Sequence, residues 1–194
     1  MNNTLRAASL LLGPLLTAVA TFFWEDTRHG LTASVIGLYA TVAGVYGTLY
    51  LWDRLTAWKP WVGATGLVIA LLGFLGGVAF SLQGVFEGLF DVSKTASLDA
   101  AAAHPAAANL VLWLPGPAYP LSLAALAIAL AWSRLAPWPV WTGLLCSAVC
   151  FPLSRITRTE WIAHVADLLI LAVFAALALL VLRGRLDPAP ATTP

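Results

Sequence analysis

Charged side chains are scarce in this sequence. Of its 194 residues, 10 are Lys or Arg and 9 are Asp or Glu, a charged share of 10%, whereas 60% of the residues are hydrophobic. Soluble globular domains carry about 25% charged and about 45–50% apolar residues. A soluble chain of this length could not bury so much apolar surface, so the excess must face lipid.

The sequence also lacks a basic run and a cysteine motif. Its formal net charge is +1, and no segment concentrates Lys and Arg, which excludes the electrostatic footprint of a nucleic-acid-binding protein. The two cysteines, Cys146 and Cys150, are not spaced as a Cys-x-x-Cys pair, so neither a redox motif nor a zinc site is indicated. We interpret them as two small buried hydrophobic residues.

What the sequence has instead is six long apolar stretches. A helix needs about 20 apolar residues to cross a bilayer. The sequence therefore predicts an all-α integral membrane protein, a bundle of six transmembrane helices. It forms one polytopic domain over residues 1–186, with a disordered tail at 187–194. The predicted spans are residues 5–24, 31–52, 60–90, 110–133, 138–153 and 161–182.

The fourth and fifth spans are the least regular. Pro115, Pro117 and Pro120 lie in the first half of the fourth span and predict that this helix is kinked or begins late. The fifth apolar run is only about 16 residues and meets Pro152. At 1.5 Å per residue it reaches about 24 Å, short of a hydrocarbon core of about 30 Å. Five spans plus a re-entrant segment are therefore the alternative to six.

The charges are distributed unevenly between the two ends of such a bundle. With six spans both termini lie on one side, which receives six of the ten Lys and Arg residues. The positive-inside rule then places the termini in the cytoplasm of a cell-membrane protein. Seven of the nine acids and all three histidines fall on the other side. Because the rule concerns Lys and Arg and says little about acids, this second asymmetry needs its own explanation.

Three ionisable residues, Glu160, His164 and Asp167, lie at the start of the last apolar run. At 100° per residue they fall within about 60° of one another on a helix. A charge inside the membrane costs a few kcal/mol on insertion scales, and such residues usually face the bundle interior or a cavity. The spacing therefore predicts a polar stripe on the sixth span that faces inward.

Polar residues at the same ends of two other spans extend this stripe into a pocket. Glu25 and His29 follow the first span, and Glu87 lies near the end of the third. We predict that they converge with the stripe near the non-cytoplasmic ends of the first, third and sixth spans. A carboxylate-rich pocket favours a small polar or cationic ligand, held by charge-assisted hydrogen bonds and stacked on Trp24 or Trp161. The predicted role is uptake, carriage or sensing.

In size and helix count the chain is similar to the substrate-binding subunits of energy-coupling-factor vitamin transporters, although no diagnostic motif supports the resemblance. The predicted partners are the lipid bilayer, a small-molecule ligand and another membrane subunit, with no nucleic acid. A face of small residues on the first span, Ser9, Gly13 and Thr17, would suit close packing against such a subunit. HExxH and Glu-x-x-His signatures are absent, so no metal site is predicted, and the sequence identifies no cofactor.

An enzyme is the first alternative to a binding protein. A carboxylic acid in a low-dielectric, aromatic-lined site can donate a proton to an isoprenoid or sterol-like substrate. Small integral-membrane terpene cyclases and sterol isomerases are similar in principle. The catalytic candidates would be Glu25, Asp167 and His164.

Two further alternatives need neither ligand nor reaction. The chain could be a non-catalytic subunit of a larger membrane complex. Alternatively, the acidic stripe could be purely structural, with Arg155 or Arg158 pairing with Asp167 or Glu160 and locking neighbouring helices together. The sequence leaves these alternatives open.

Overall fold

A computed structural model of the chain describes residues 2–25, 30–157 and 159–186, and every regular element within them is helical. The predicted ligand-binding residue His29 and the tail at 187–194 lie outside the described residues. The helices are α1 (Asn3–Ala20), α2 (Leu31–Trp58), α3 (Pro60–Leu89), α4 (Lys94–Ala102), α5 (Pro105–Ala108), α6 (Pro115–Ser133), α7 (Trp138–Thr157) and α8 (Glu160–Leu182). A 3-10 turn, Thr21–Phe23, extends α1, and a π-helical turn, Asn109–Trp113, joins α5 to α6.

Six segments of the described chain are long and apolar enough to cross a membrane. They are Asn3–Phe23, Leu31–Trp58, Pro60–Leu89, Pro105–Ser133, Trp138–Thr157 and Glu160–Leu182. This confirms the predicted all-α bundle of six spans and makes the chain a multipass membrane protein.

The two irregular spans differ in how well they were predicted. α6 begins at Pro115, directly after the π-helical turn, so the prediction of a late start is confirmed. α7 continues through Pro152 to Thr157 and has 20 residues, which at 1.5 Å per residue gives about 30 Å. The predicted end at residue 153 was too early. At its full length α7 is long enough to cross the hydrocarbon core, as the prediction of six spans requires.

The six spans form a closed ring. Each span packs against its neighbours along the chain, and α1 also packs against α8. α2 and α6 make a smaller contact across the ring. Consecutive spans run in opposite directions, so the α2–α3 and α6–α7 junctions share one end of the bundle with the two chain ends. We call this the termini end, and the opposite end, which holds residues 21–25, 155–157 and 159–167, the far end.

The small-residue face of α1 packs against α2. Ser9 Oγ donates to the carbonyl of Ala43 and accepts from the amide nitrogen of Gly47 at 2.8 Å. A Cβ added at Gly13 would lie 2.9 Å from the Cα of Gly44, so the two backbones are in close contact. This face was expected to suit another subunit. It is instead used within the chain, because small residues allow neighbouring helices to approach closely.

The two halves of the bundle have different interiors. The termini half is filled by large apolar side chains from four spans, including Trp52, Leu126, Leu144 and Leu177, each at most 1% exposed. Buried ionisable side chains of the far half, Glu87 and Asp167, are only 3% and 1% exposed. The interior of the bundle is therefore apolar in the termini half and contains buried charged side chains in the far half.

Cys146 and Cys150 lie in the middle of α7, and both are free thiols. Cys146 is exposed on the outer surface and Cys150 is half-buried. The interpretation of both as buried residues was wrong for Cys146, because the inward face of α7 is formed by Leu144 and Ser147 instead.

Candidate functional site

Asp167 is the central residue of the far end. It lies on the face of α8 that also carries Ala163, Ala166 and Ile170, all buried, and its own side chain is fully enclosed. This confirms that Asp167 points into the bundle and away from lipid. A carboxylate in that position is stable only with partners, since an unpaired buried charge costs several kcal/mol.

Arg155 and Thr21 are those partners. Arg155 Nη2 donates to Asp167 Oδ1 at 2.8 Å and to Oδ2 at 3.1 Å. The hydroxyl of Thr21, in the turn that ends the first span, donates to Oδ2 as well. Asp167 therefore ties α8 to α7 and to the end of the first span. The predicted pairing of Arg155 with Asp167 is confirmed.

This pairing bears on the enzyme alternative. Both oxygens of Asp167 accept hydrogen bonds from Arg155 or Thr21, and its side chain has no exposed surface. His164 is half-buried, and the ring of Phe22 lies 4.3 Å from it, centroid to centroid. Asp167 is thus enclosed, whereas His164 keeps part of its surface exposed.

Aromatic rings enclose the guanidinium of Arg155. Its Cζ lies 4.8 Å from the Trp24 ring and 4.7 Å from the Phe151 ring, within range of cation–π attraction. The Phe151 ring in turn makes an edge contact with Tyr119 on α6, at a centroid distance of 4.8 Å. The site thus draws on four of the six spans.

One guanidinium nitrogen of Arg155, Nη1, takes no part in the ion pair with Asp167. Nη1 is buried and has no hydrogen-bond partner among the residues that the structure describes. Leaving a buried donor unsatisfied costs about 1–3 kcal/mol, and more for a charged group. Because the ion pair and the two rings fix the guanidinium, Nη1 is a preoriented donor for an acceptor group such as a carboxylate, a phosphate or a carbonyl.

Glu87 belongs to a separate polar cluster. Its carboxylate accepts a hydrogen bond from Gln83 Nε2 at 2.9 Å, and the same nitrogen lies 3.0 Å from Ser97 Oγ on α4. These contacts tie the end of α3 to the surface helix α4. Among the described residues α3 and α8 do not touch. α3 and α8 are therefore not neighbours in the bundle, and the convergence of Glu87 with Asp167 stays a prediction.

The remaining predicted residues lie toward the surface of the far end. Glu160 and Glu25 are exposed, and Trp161 is 67% exposed. At 1.5 Å per residue Glu160 lies about 10 Å nearer the end of the bundle than Asp167, in the first turn of α8, where the helix dipole favours an acid. The predicted inward stripe thus has one fully buried member, Asp167.

Sequence reasoning missed Thr21, Phe151 and Tyr119 as members of the site. Thr21 offered a weak signal, since it is a hydroxyl residue near the end of an otherwise apolar run. Tyr119 and Phe151 offered none, because aromatic residues are ordinary in membrane spans. Their membership depends on which helices are neighbours, and that information is not local in sequence.

Within the described ranges, no group of three or more His, Cys, Asp or Glu side chains could hold a metal ion. No protein-family model, curated protein or solved structure matches the chain. The resemblance to vitamin-transporter subunits is thus one of size and helix count only.

Proposed function

We propose that this multipass membrane protein binds a small polar ligand at the far end of its bundle, for uptake, carriage or sensing, and that Arg155 contacts the ligand. The observation that carries the proposal is the buried Nη1 of Arg155, which has no partner among the described residues. A charged donor held rigid in a low-dielectric setting favours an acceptor more strongly than it would in water.

The arrangement also bears on the chemistry of the ligand. The charge of Asp167 is balanced by Arg155, and its oxygens are occupied, so the carboxylate offers little to a cation. The group that has no hydrogen-bond partner among the described residues is Nη1 of Arg155, which is a donor. We therefore favour a ligand with a carboxylate, phosphate or carbonyl over the cationic ligand expected from the number of acids. Trp24 contributes by stacking on Arg155 and not on the ligand.

The other predicted residues remain proposed contacts at the mouth of the site. Glu160 and Trp161 are exposed there, and His164 lies one turn deeper. Glu25 follows the turn that carries Thr21. His29 stays a prediction, as does Glu87, whose cluster would have to border the same mouth from the α3 side.

Thermal unfolding of the purified protein in detergent tests the proposal, with acetate, inorganic phosphate and choline as probes. Acetate or phosphate should raise the unfolding midpoint in proportion to occupancy, since a ligand at 100 times its Kd adds about 2.7 kcal/mol of stability. Choline should not. Arg155→Lys keeps the positive charge beside Asp167 but removes Nη1, so the shift should disappear.

Arg134→Lys is the matched control, because Arg134 is an exposed residue at the termini end and its replacement should leave the shift intact. The proposal is contradicted if no anion stabilises the wild-type protein, or if Arg155→Lys responds as the wild type does. A larger shift with choline than with acetate would indicate a cationic ligand, and Arg155 would then not be its contact.

A further inference from the structure

A groove on the outside of the bundle, far from the polar cluster, has features that the proposed function does not use. It lies between α3 and α6 in the termini half and encloses about 230 Å³. Its floor includes Trp52 and Ala129, both almost fully buried. Its outer walls include Thr65 and Ile128, both exposed. The groove therefore opens sideways, toward the hydrocarbon that surrounds a membrane span.

At the termini end of the bundle, a cation beside the groove lies against a cluster of tryptophan rings. Lys59, at the α2–α3 junction, places Nζ 4.1 Å from the Trp132 ring, 5.5 Å from Trp61 and 5.9 Å from Trp58. Trp61 and Trp132 also line the groove. Among the described residues no acid forms an ion pair with Lys59. Tryptophans concentrate at the level of lipid headgroups, so this cation lies where lipid phosphates lie.

We infer that this groove binds one acyl chain of an anionic phospholipid whose phosphate is held by Lys59. The lining is apolar and offers an acyl chain continuous contact from Trp132 down to Ile69. Lys59, at the termini end of the groove, supplies the positive charge that complements the lipid phosphate. A zwitterionic lipid would fill the same groove but would bring a competing ammonium group.

The surrounding charge supports an anionic occupant. In the part of the chain that the structure describes, the termini end carries six Lys and Arg residues and a single acid, Asp53, which is paired with Arg54 at 2.9 Å. Cations near a membrane surface attract anionic lipid. Lys59 differs from the others because the apolar groove begins beside it.

Differential thermal stabilisation in detergent tests this inference. Phosphatidylglycerol and phosphatidylcholine with identical acyl chains are added to separate samples, and inorganic phosphate to a third. Phosphatidylglycerol should raise the unfolding midpoint by about 2–4 °C more than phosphatidylcholine does. Lys59→Gln should remove that excess. Thr65→Phe, which places a ring in the groove from its exposed wall, should remove the stabilisation by both lipids.

Two matched variants serve as controls. Val68→Phe adds the same ring on α3 at a position that is 58% exposed and does not line the groove, and Arg134→Gln removes another cation from the same end. Both should respond to phosphatidylglycerol as the wild type does. The inference is overturned if the two lipids stabilise equally, if Lys59→Gln keeps the excess, or if Thr65→Phe responds normally. It is also overturned if inorganic phosphate alone reproduces the shift, or if the shift follows dimerisation of the protein.

Discussion

Asp167 illustrates how a single charge can be kept inside a membrane span. Its cost is offset by a guanidinium that donates twice and by a hydroxyl that donates once. The guanidinium is itself enclosed by the rings of Trp24 and Phe151. Such a pair contributes little net stability, but removing one member alone leaves an uncompensated charge.

At the same scale, the sequence predicted some of these contacts and not others. Asp167 was identifiable because an acid deep in an apolar run is expensive, and Arg155 was recognised as a possible partner for it. Thr21 and Tyr119 could not be assigned, because their contacts, with Asp167 and with Phe151 respectively, join residues more than 30 positions apart in the chain. The side chains of Glu160 and His164 share the helix face of Asp167 but are less buried than Asp167. Angular position on a helix alone does not determine burial.

Gly66 provides a prediction at the residue scale. A Cβ at this position would lie 2.0 Å from Cζ3 of Trp52, a ring that is 1% exposed. Gly66→Ala should therefore cost about 1–3 kcal/mol of unfolding free energy through overpacking. Gly44→Ala is the control, since its Cβ would meet its nearest neighbours at 3.8 Å or more. Reversible unfolding in mixed micelles measures both, and equal costs would refute the packing argument.

At the scale of elements, α7 shows why helix ends are hard to read in a membrane protein. Pro152 suggested a stop, as it would in water. In lipid, where exposed backbone groups have no water to bond, an apolar segment tends to continue as a helix past a proline. The other span ends followed from charge and proline positions, and α3, α6 and α8 end within one residue of the predicted limits.

Native cysteines test whether α7 crosses the bilayer. Cys146 and Cys150 lie in the middle part of a 20-residue helix, each at least about 10 Å from either end. A charged, membrane-impermeant maleimide should react with neither thiol from either side, while a permeant maleimide should label Cys146. Ser93→Cys, in the exposed turn before α4, is the positive control. Labelling of Cys146 by the charged reagent would indicate a re-entrant segment.

At the scale of the whole molecule, the closed ring explains the two unlike halves. Six spans that each touch their chain neighbours, with α1 closing on α8, enclose a central volume. Large apolar side chains fill it at the termini end, so any ligand at the far end meets a closed floor. Which spans become neighbours was not predictable from the sequence. Among the described residues the third and sixth spans do not contact each other, because α6 and α7 lie between them in the ring.

The orientation of the ring in the membrane is a further prediction. The excess of Lys and Arg at the termini end favours a cytoplasmic location for that end. A fluorescent protein fused after residue 194 should therefore be fluorescent, and alkaline phosphatase inserted after Ala103 should be active, since that position is in an exposed turn at the far end. The reverse pattern would invert the assignment and place the polar cluster on the cytoplasmic side.

The description of the far end depends on the ion pair between Arg155 on α7 and Asp167 on α8. A double-mutant cycle with Arg155→Leu and Asp167→Leu measures it directly, with Glu160→Leu replacing Asp167→Leu in a control cycle. Each single variant should lose about 3–5 kcal/mol of unfolding free energy, and the double variant should recover most of that loss. The control cycle should be additive. Additive losses for Arg155 and Asp167 as well would contradict the account.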